Sequence, residues 1–165
     1  MAPVDLKTLL RTTVKLSQPQ WQALNIEVHT EFSPDPLLVR GDSNQLLQVC
    51  VQIINDALYA VGQHSSRTLT ITAERKDGLA IINIWDASLG DSAEGKEKEE
   101  DQALSGLGLS ACQGILRQHH GRILWQQHRN TGTNIRVEIP VIPPVEKEQS
   151  SEAGVPVMWQ PQPYA

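Results

Sequence analysis

The amino-acid sequence predicts a two-layer α/β sandwich, in which helices cover one face of a mixed β-sheet. Three observations lead to this class: helical periodicity in three separate segments, period-two alternation in several others, and the interspersed order of the two kinds of segment. The 165 residues can bury about two thirds of their unfolded surface, enough for one core. We therefore expect one domain over residues 1–142 and a disordered Pro-, Glu- and Ser-rich tail over 143–165.

Helical segments come first and two short strands follow them. Apolar residues recur at helical spacing from Val4 to Leu24, and Pro19 predicts two helical pieces or one interrupted helix. The segment NIEVHTEF then alternates apolar and polar residues, and PLLVRG follows it after a turn containing Pro34 and Pro36. We expect these two strands to form an antiparallel pair.

A long amphipathic helix comes next, capped by Asp42 or Ser43 and ended by Gly62. Residues at three- and four-residue steps form its apolar stripe: Leu46, Val49, Cys50, Ile53, Ala57 and Val61. On the opposite side lies a polar ridge that faces either a ligand or water. The polar ridge consists of Gln48, Gln52, Asn55, Asp56 and Tyr59.

The second half of the chain predicts two hairpins separated by a long loop and a helix. RTLTITAER and LAIINIWDA flank the turn KDG, and RILWQQH and TNIRVEIPV flank RNTG. Residues 88–105 are acidic with almost no apolar side chains, so we expect a mobile lid there. A helix from Leu109 to about His119 follows. In the last strand, Asn134, Arg136 and Glu138 alternate with apolar residues.

Composition excludes several functions. The 14 Lys and Arg residues are scattered and the net charge is −5, which argues against nucleic acid as a partner. No apolar run reaches the roughly 20 residues that span a bilayer, so we expect no membrane contact by this segment. Cys50 and Cys112 fall in apolar helical patterns and suggest buried thiols in a reducing, cytosolic compartment.

Two features suggest chemistry. Gly106 and Gly108 precede a helix, and glycines at a helix N-terminus let backbone N–H groups approach an anion such as phosphate, although they also suit an ordinary loop. Asp86 ends an apolar strand, where its carboxylate can accept a hydrogen bond from an exocyclic amine such as that of adenine, or cap the following turn. His119 and His120 fit the last turn of a helix, where polar or cationic residues are favourable, and we assign them no chemistry.

Four segments together resemble the ATP-binding catalytic domain of sensor histidine kinases, in the GHKL ATPase superfamily with its Bergerat fold. DSNQLLQVCVQIINDALYAV resembles the N box, IWDASLGD the G1 box, SGLGLSACQGIL the G2 box, and GTNIRVEIP the closing strand. VDLKTLLRTTVKL resembles the junction after the dimerisation helices. The resemblance covers residues 4–142 and predicts ATP and Mg²⁺ as cofactors.

The resemblance implies a role for each matching position. Gln52 and Asp56 are the catalytic positions, with Asp56 also the magnesium ligand, and Asp86 binds the adenine amine. The other nucleotide-binding positions are Asn55, Tyr59, Gly90, Gly106, Leu107, Gly108, Leu109 and Thr133.

Five positions depart from the family pattern. Asp56 and Gln52 replace the usual Asn and the upstream Asn or Glu, and Tyr59 replaces a Lys that many members have. Ser88 and Leu104 replace glycines of the G1 and G2 boxes. The strain of a lost glycine is about 1–2 kcal/mol, so we expect nucleotide binding to be weaker by about tenfold or more.

No phosphoacceptor histidine motif is present. The resemblance therefore implies transfer of the γ-phosphoryl group to a histidine on a separate dimerisation domain, with a response regulator as an indirect partner and an isolated domain that is monomeric. Such a domain is cytoplasmic, whether or not the whole sensor is membrane-bound. Two alternatives stay open: a degenerate regulatory docking module without kinase activity, and an anti-sigma-like Ser kinase.

Overall fold

The computed structural model describes residues 1–62, 67–86, 107–128 and 132–143. These residues form short and long helices interspersed with strands, as the sequence predicts. In chain order the elements are β1 (Ala2–Asp5), α1 (Leu6–Leu16), α2 (Gln18–Ala23), β2 (Glu27–Phe32), β3 (Leu38–Gly41), α3 (Ser43–Gly62), β4 (Thr68–Lys76), β5 (Leu79–Asp86), α4 (Leu107–Gln118), β6 (Arg122–His128) and β7 (Gly132–Pro140).

A five-stranded sheet forms one layer, with the strand order β2-β4-β5-β7-β6. The neighbours β4–β5, β5–β7 and β6–β7 are antiparallel, whereas β2 lies parallel to β4. The apolar side chains of alternate positions, among them Ile71, Ile84 and Val137, are buried on the face that packs against the helices. The predicted mixed sheet with helices on one face is therefore confirmed.

The predicted antiparallel pairing of NIEVHTEF with PLLVRG is wrong. β2 pairs with β4 in parallel, and β3 pairs with β1, a segment for which the sequence predicts no strand. Alternation fixes which face of a strand is buried but leaves its partner open. The 20-residue helix α3 supplies the crossover connection that a parallel pair requires.

The first two helices are separate pieces, which decides one open alternative. Asp5 caps α1 by accepting a hydrogen bond from the Lys7 N–H at 3.0 Å. The break falls at Ser17, and Pro19 lies in the first turn of α2, where its missing N–H costs nothing.

α3 begins as predicted. The Gln45 N–H donates to Asp42 Oδ1 at 3.0 Å, so Asp42, rather than Ser43, is the N-cap. Every residue of the predicted apolar stripe is buried against the sheet or the neighbouring helices. The polar ridge therefore lies on the opposite side of α3 from the apolar stripe.

Tight turns lie at the end of the β4–β5 hairpin and after α4. Asp77 and Gly78 both have positive φ, 53° and 77°, as expected for the two-residue hairpin between β4 and β5. α4 begins at Leu107, two residues before the predicted start, and His120 at φ 57° follows its end. Gly121 has another role, because a Cβ there would lie 2.6 Å from the backbone oxygen of Glu138.

Candidate nucleotide-binding site

The polar ridge of α3 divides into exposed and half-buried residues. Gln48 is exposed and Tyr59 is 70% exposed, whereas Gln52, Asn55 and Asp56 are half-buried. Gln52 Nε2 donates to Asp56 Oδ1 at 3.0 Å, one helical turn away. The two predicted catalytic residues therefore contact each other, and the amide holds one oxygen of the carboxylate in place.

Asp56 faces α4. The pKa of the Cys112 thiol on α4 is raised to about 11, first by burial and then by the negative charge of Asp56. On the neighbouring part of α3, burial and, to a lesser extent, Cys112 raise the pKa of the Cys50 thiol to about 12. Both cysteines are therefore free, protonated thiols between the two helices, as the sequence predicts.

Asp86 is fully buried at the end of β5. It occupies the same alternation as Ile82 and Ile84, so its carboxylate is on the helix-covered face of the sheet rather than in solvent. α3 packs against β5 and β7 as well as α4. The predicted adenine-binding acid therefore lies in the layer that α3 covers.

Thr133 lies at the same end of the sheet as Asp86. The β5–β7 register runs to the pair Trp85–Asn134, and Thr133 is one residue beyond Asn134, as Asp86 is one residue beyond Trp85. The backbone of β7 therefore places Thr133 beside the end of β5.

Leu107 and Gly108 lie in the first turn of α4, where backbone N–H groups have no helical carbonyl partner. That first turn contains no acidic residue, which suits an anion. Leu109 is 2% exposed and packs in the core, so only its backbone is available to a ligand. The described residues do not include Ser88, Gly90, Leu104, Gly106 or the predicted lid over 88–105, nor the tail beyond residue 143.

The described residues contain no group of three or more His, Cys, Asp or Glu side chains arranged to hold a metal ion. Asp56 offers one carboxylate on α3. Mg²⁺ commonly binds through one or two carboxylates and completes its octahedron with water and phosphate oxygens, so this donor set fits the ion.

Sequence reasoning missed two polar contacts. His119, assigned no chemistry, is 3% exposed and bonded to both α3 and α4. Glu138 is buried on the outer face of the sheet between Arg122 and Arg136. The alternation of β7 predicts the face of the sheet on which Glu138 lies. Only the register between β6 and β7 brings Arg122 next to Glu138.

The chain belongs to the family described as histidine kinase-, DNA gyrase B-, and HSP90-like ATPase, whose model matches residues 41–143. Among its relatives, sporulation kinase B of Bacillus subtilis (strain 168) is 29% identical over 144 residues, which is 82% of this chain and 33% of the relative. The signal transduction histidine-protein kinase BaeS of Escherichia coli (strain K12) is 27% identical over 160 residues, 89% of this chain and 33% of BaeS. This chain thus spans about a third of the length of these relatives.

Solved structures agree with the fold. The nucleotide-free catalytic domain of histidine kinase ThkA superposes with a TM-score of 0.66 at 24% identity, covering 84% of this chain and 95% of that one. ThkA in complex with the response regulator protein TrrA gives a TM-score of 0.66 over 86% of this chain and 42% of ThkA. The resemblance to the ATP-binding catalytic domain of histidine kinases is therefore confirmed. None of the helices in the described ranges has the length and hydrophobicity to cross a bilayer.

Proposed function

We propose that this chain is the nucleotide-binding half of a sensor histidine kinase, which delivers the γ-phosphoryl group of ATP to a histidine on a separate dimerisation domain. The observation that carries the proposal is the full burial of Asp86 on the helix-covered face, within the segment IWDASLGD that resembles the adenine-binding G1 box. A carboxylate at a buried position discriminates well for a ligand amine, because a ligand without that donor leaves the charge desolvated.

In this proposal the nucleotide lies between α3, α4 and the end of β5. Asp86 accepts a hydrogen bond from the exocyclic amine of adenine, while Gly90 forms the turn beneath the base and Thr133 closes its side. The phosphates meet backbone N–H groups of Gly106, Leu107, Gly108 and Leu109, where the dipole of α4 favours negative charge. The segment 88–105 acts as the lid.

The α3 residues orient the phosphoryl end. Asp56 is the carboxylate that would hold Mg²⁺, and Gln52, which donates to Asp56 Oδ1, restricts the rotation of that carboxylate. Mg²⁺, when bound, neutralises charge on the phosphate oxygens. Asn55 and Tyr59 lie along the same ridge and contact the nucleotide from α3. Phosphoryl transfer depends mainly on positioning and charge neutralisation, which these residues supply.

The partners follow from the same proposal. The phosphoacceptor is the dimerisation domain of the same kinase, a response regulator is the indirect partner, and the isolated domain is a monomer of residues 1–142 with a separate tail. The ThkA neighbour, whose structure contains a response regulator, supports this choice. The two free thiols suit a cytoplasmic location.

A regulatory module that docks without turning over ATP is the second candidate. Tyr59 favours it, since this residue is 70% exposed at the position where many members have a lysine. Ser88 and Leu104, which replace glycines, favour it as well.

Calorimetric titration of the chain with ADP and a non-hydrolysable ATP analogue, each with and without Mg²⁺, tests the proposal. We expect saturable binding of both nucleotides that strengthens with Mg²⁺. Absence of binding at millimolar nucleotide would overturn the kinase proposal and leave the docking module.

A further inference from the structure

We infer that His119 is a positioning residue, which fixes the end of α4 against the start of α3 and thereby sets the spacing of the two helices at the nucleotide site. The inference rests on the function proposed above. It concerns a side chain that lies at the opposite end of α4 from the phosphate-binding turn.

Both ring nitrogens of His119 are engaged. Nε2 accepts a hydrogen bond from the Asp42 N–H at 3.0 Å, and Nδ1 donates to the Ile115 carbonyl oxygen at 2.7 Å. A backbone N–H can only donate and a carbonyl can only accept, so these contacts require the neutral tautomer with its proton on Nδ1. The Nδ1 bond is local to α4, whereas the Nε2 bond crosses to the N-cap of α3.

The ring also packs against the end of β3. A Cβ on Gly41 would lie 2.6 Å from His119 Cδ2 and 2.9 Å from Nε2, so the imidazole occupies the space that any other residue at position 41 would need. Gly41 pairs with Ala2 of β1. His119 is therefore the side chain at which the β1–β3 ribbon, the start of α3 and the end of α4 meet.

The contacts of His119 affect the nucleotide site because α4 connects the two. α4 has 12 residues, and at 1.5 Å per residue it is a rod of about 18 Å. A shift of α4 at His119 therefore also moves the first turn of α4 relative to Asp56 on α3. That first turn presents the backbone amides of Leu107 and Gly108. A displacement of about 1 Å in such an arrangement can cost about 100-fold in rate.

Two substitutions separate the crossing bond from the local one. His119→Gln places an acceptor near the position of Nε2 and can retain the bond from Asp42, whereas His119→Asn reaches only the Nδ1 side and Ile115. We expect the Gln variant to bind MgADP within about twofold of the wild-type chain. We expect the Asn variant, in which the crossing bond is absent and the first turn of α4 can shift relative to Asp56, to bind MgADP about tenfold more weakly, a change of about 1.4 kcal/mol.

Calorimetric titration of the full chain measures the affinity, and thermal unfolding confirms that each variant is folded at the titration temperature. Equal affinity in two folded variants would overturn the positioning role. If either variant fails to fold, Gly41→Ala gives a second measurement, because its Cβ displaces the imidazole; wild-type affinity in a folded Gly41→Ala chain would also overturn the role.

The link between the helices is tested without nucleotide. We expect ¹⁵N spectra to identify the Nδ1–H tautomer of His119, and hydrogen exchange at the Asp42 amide to be faster in the Asn variant than in the Gln variant. Equal exchange would overturn the inference even if nucleotide binds. A wild-type chain that binds no nucleotide, but shows the expected exchange, would overturn the proposed function while leaving the link between α3 and α4 in place.

Discussion

Two carboxylates in the described part of the chain are buried on opposite faces of one sheet, and their surroundings differ. Glu138 lies within β7 on the outer face, where Arg122 Nε donates to Oε2 at 2.6 Å and Arg136 Nε donates to Oε1 at 2.8 Å. Asp86 ends β5 on the helix-covered face and precedes the segment 87–106. Burial alone therefore does not distinguish a structural acid from a ligand-binding one.

The difference teaches where to look for function. Both oxygens of Glu138 are occupied by arginines of its own sheet, so its burial is explained by the fold. The position of Asp86 at a strand end, in front of α3 and next to a connecting segment, is typical of a binding residue held by a rigid scaffold. Matched substitutions at the two acids should have separate effects.

The largest expected effect is that of Asp86→Asn on nucleotide affinity. The substitution removes a charge-assisted hydrogen bond worth about 1.5–3 kcal/mol, so MgADP should bind about 10- to 100-fold more weakly in calorimetric titration. Glu138→Gln makes the same chemical change on the other face and should leave the affinity of the folded chain unchanged. Unaltered nucleotide affinity in Asp86→Asn would refute the proposed adenine site.

Glu138→Gln should instead lower the free energy of unfolding. The substitution removes the buried negative charge and replaces one of the two acceptor oxygens that Arg122 and Arg136 share with an NH₂ group, at a cost of about 1–3 kcal/mol measured by urea denaturation at pH 7. Glu74, exposed on the same face of β4, provides the control, because Glu74→Gln should change the free energy by less than about 0.5 kcal/mol. Equal effects of the two substitutions would contradict the structural role of Glu138.

The contribution of Glu138 should depend on pH in one direction. Burial by itself raises the pKa of its carboxyl, but hydrogen bonds from Arg122 and Arg136 and their positive charges outweigh burial and lower the pKa below the ordinary value. The stabilisation is thus complete above the unfolded-state pKa, about 4.3, and is lost as pH falls through the lowered folded-state pKa. Urea midpoints of the wild-type chain and Glu138→Gln, compared between pH 7 and pH 3, should converge at low pH.

The smallest expected effect concerns Asp56 and Cys112, on the helix side of the sheet. Asp56→Asn removes the charge that helps to raise the pKa of the Cys112 thiol, so that pKa should fall below about 11 but stay above the ordinary value, because burial is the larger cause. The pH dependence of alkylation measures it in a Cys50→Ala background, where Cys112 is the remaining cysteine of the sequence. An unchanged profile would mean that Asp56 does not face α4.

Local rules predicted the elements that depend on neighbours in sequence. The apolar stripe of α3, its acidic N-cap and the Asp77–Gly78 turn each follow from spacing or backbone preference over a few residues. The apolar stripes of the helices also predicted that the helices cover one face of the sheet. The family motifs supplied the residue types of the site, and the structure places Asp56, Asp86 and Leu109 on the elements expected for them.

Long-range pairing could not be predicted in the same way. The partner of β2 lies beyond α3, and no local pattern distinguishes a parallel partner there from an antiparallel one in β3. The contact between His119 and Asp42 joins residues 77 positions apart. Glu138 resembles any other outward polar residue in an alternating strand until the register of β6 brings Arg122 across from it.

Among the described strands, β2 forms one margin of the five-stranded sheet, and the row of backbone groups that faces away from β4 is where a further strand would add. Its side chains oppose such an addition: Glu27, His29 and Glu31 are exposed, and the His29 ring lies 3.1 Å from the Glu27 carboxylate. A second strand laid along this margin would have to desolvate these polar groups. These side chains therefore protect the domain against aggregation through this edge.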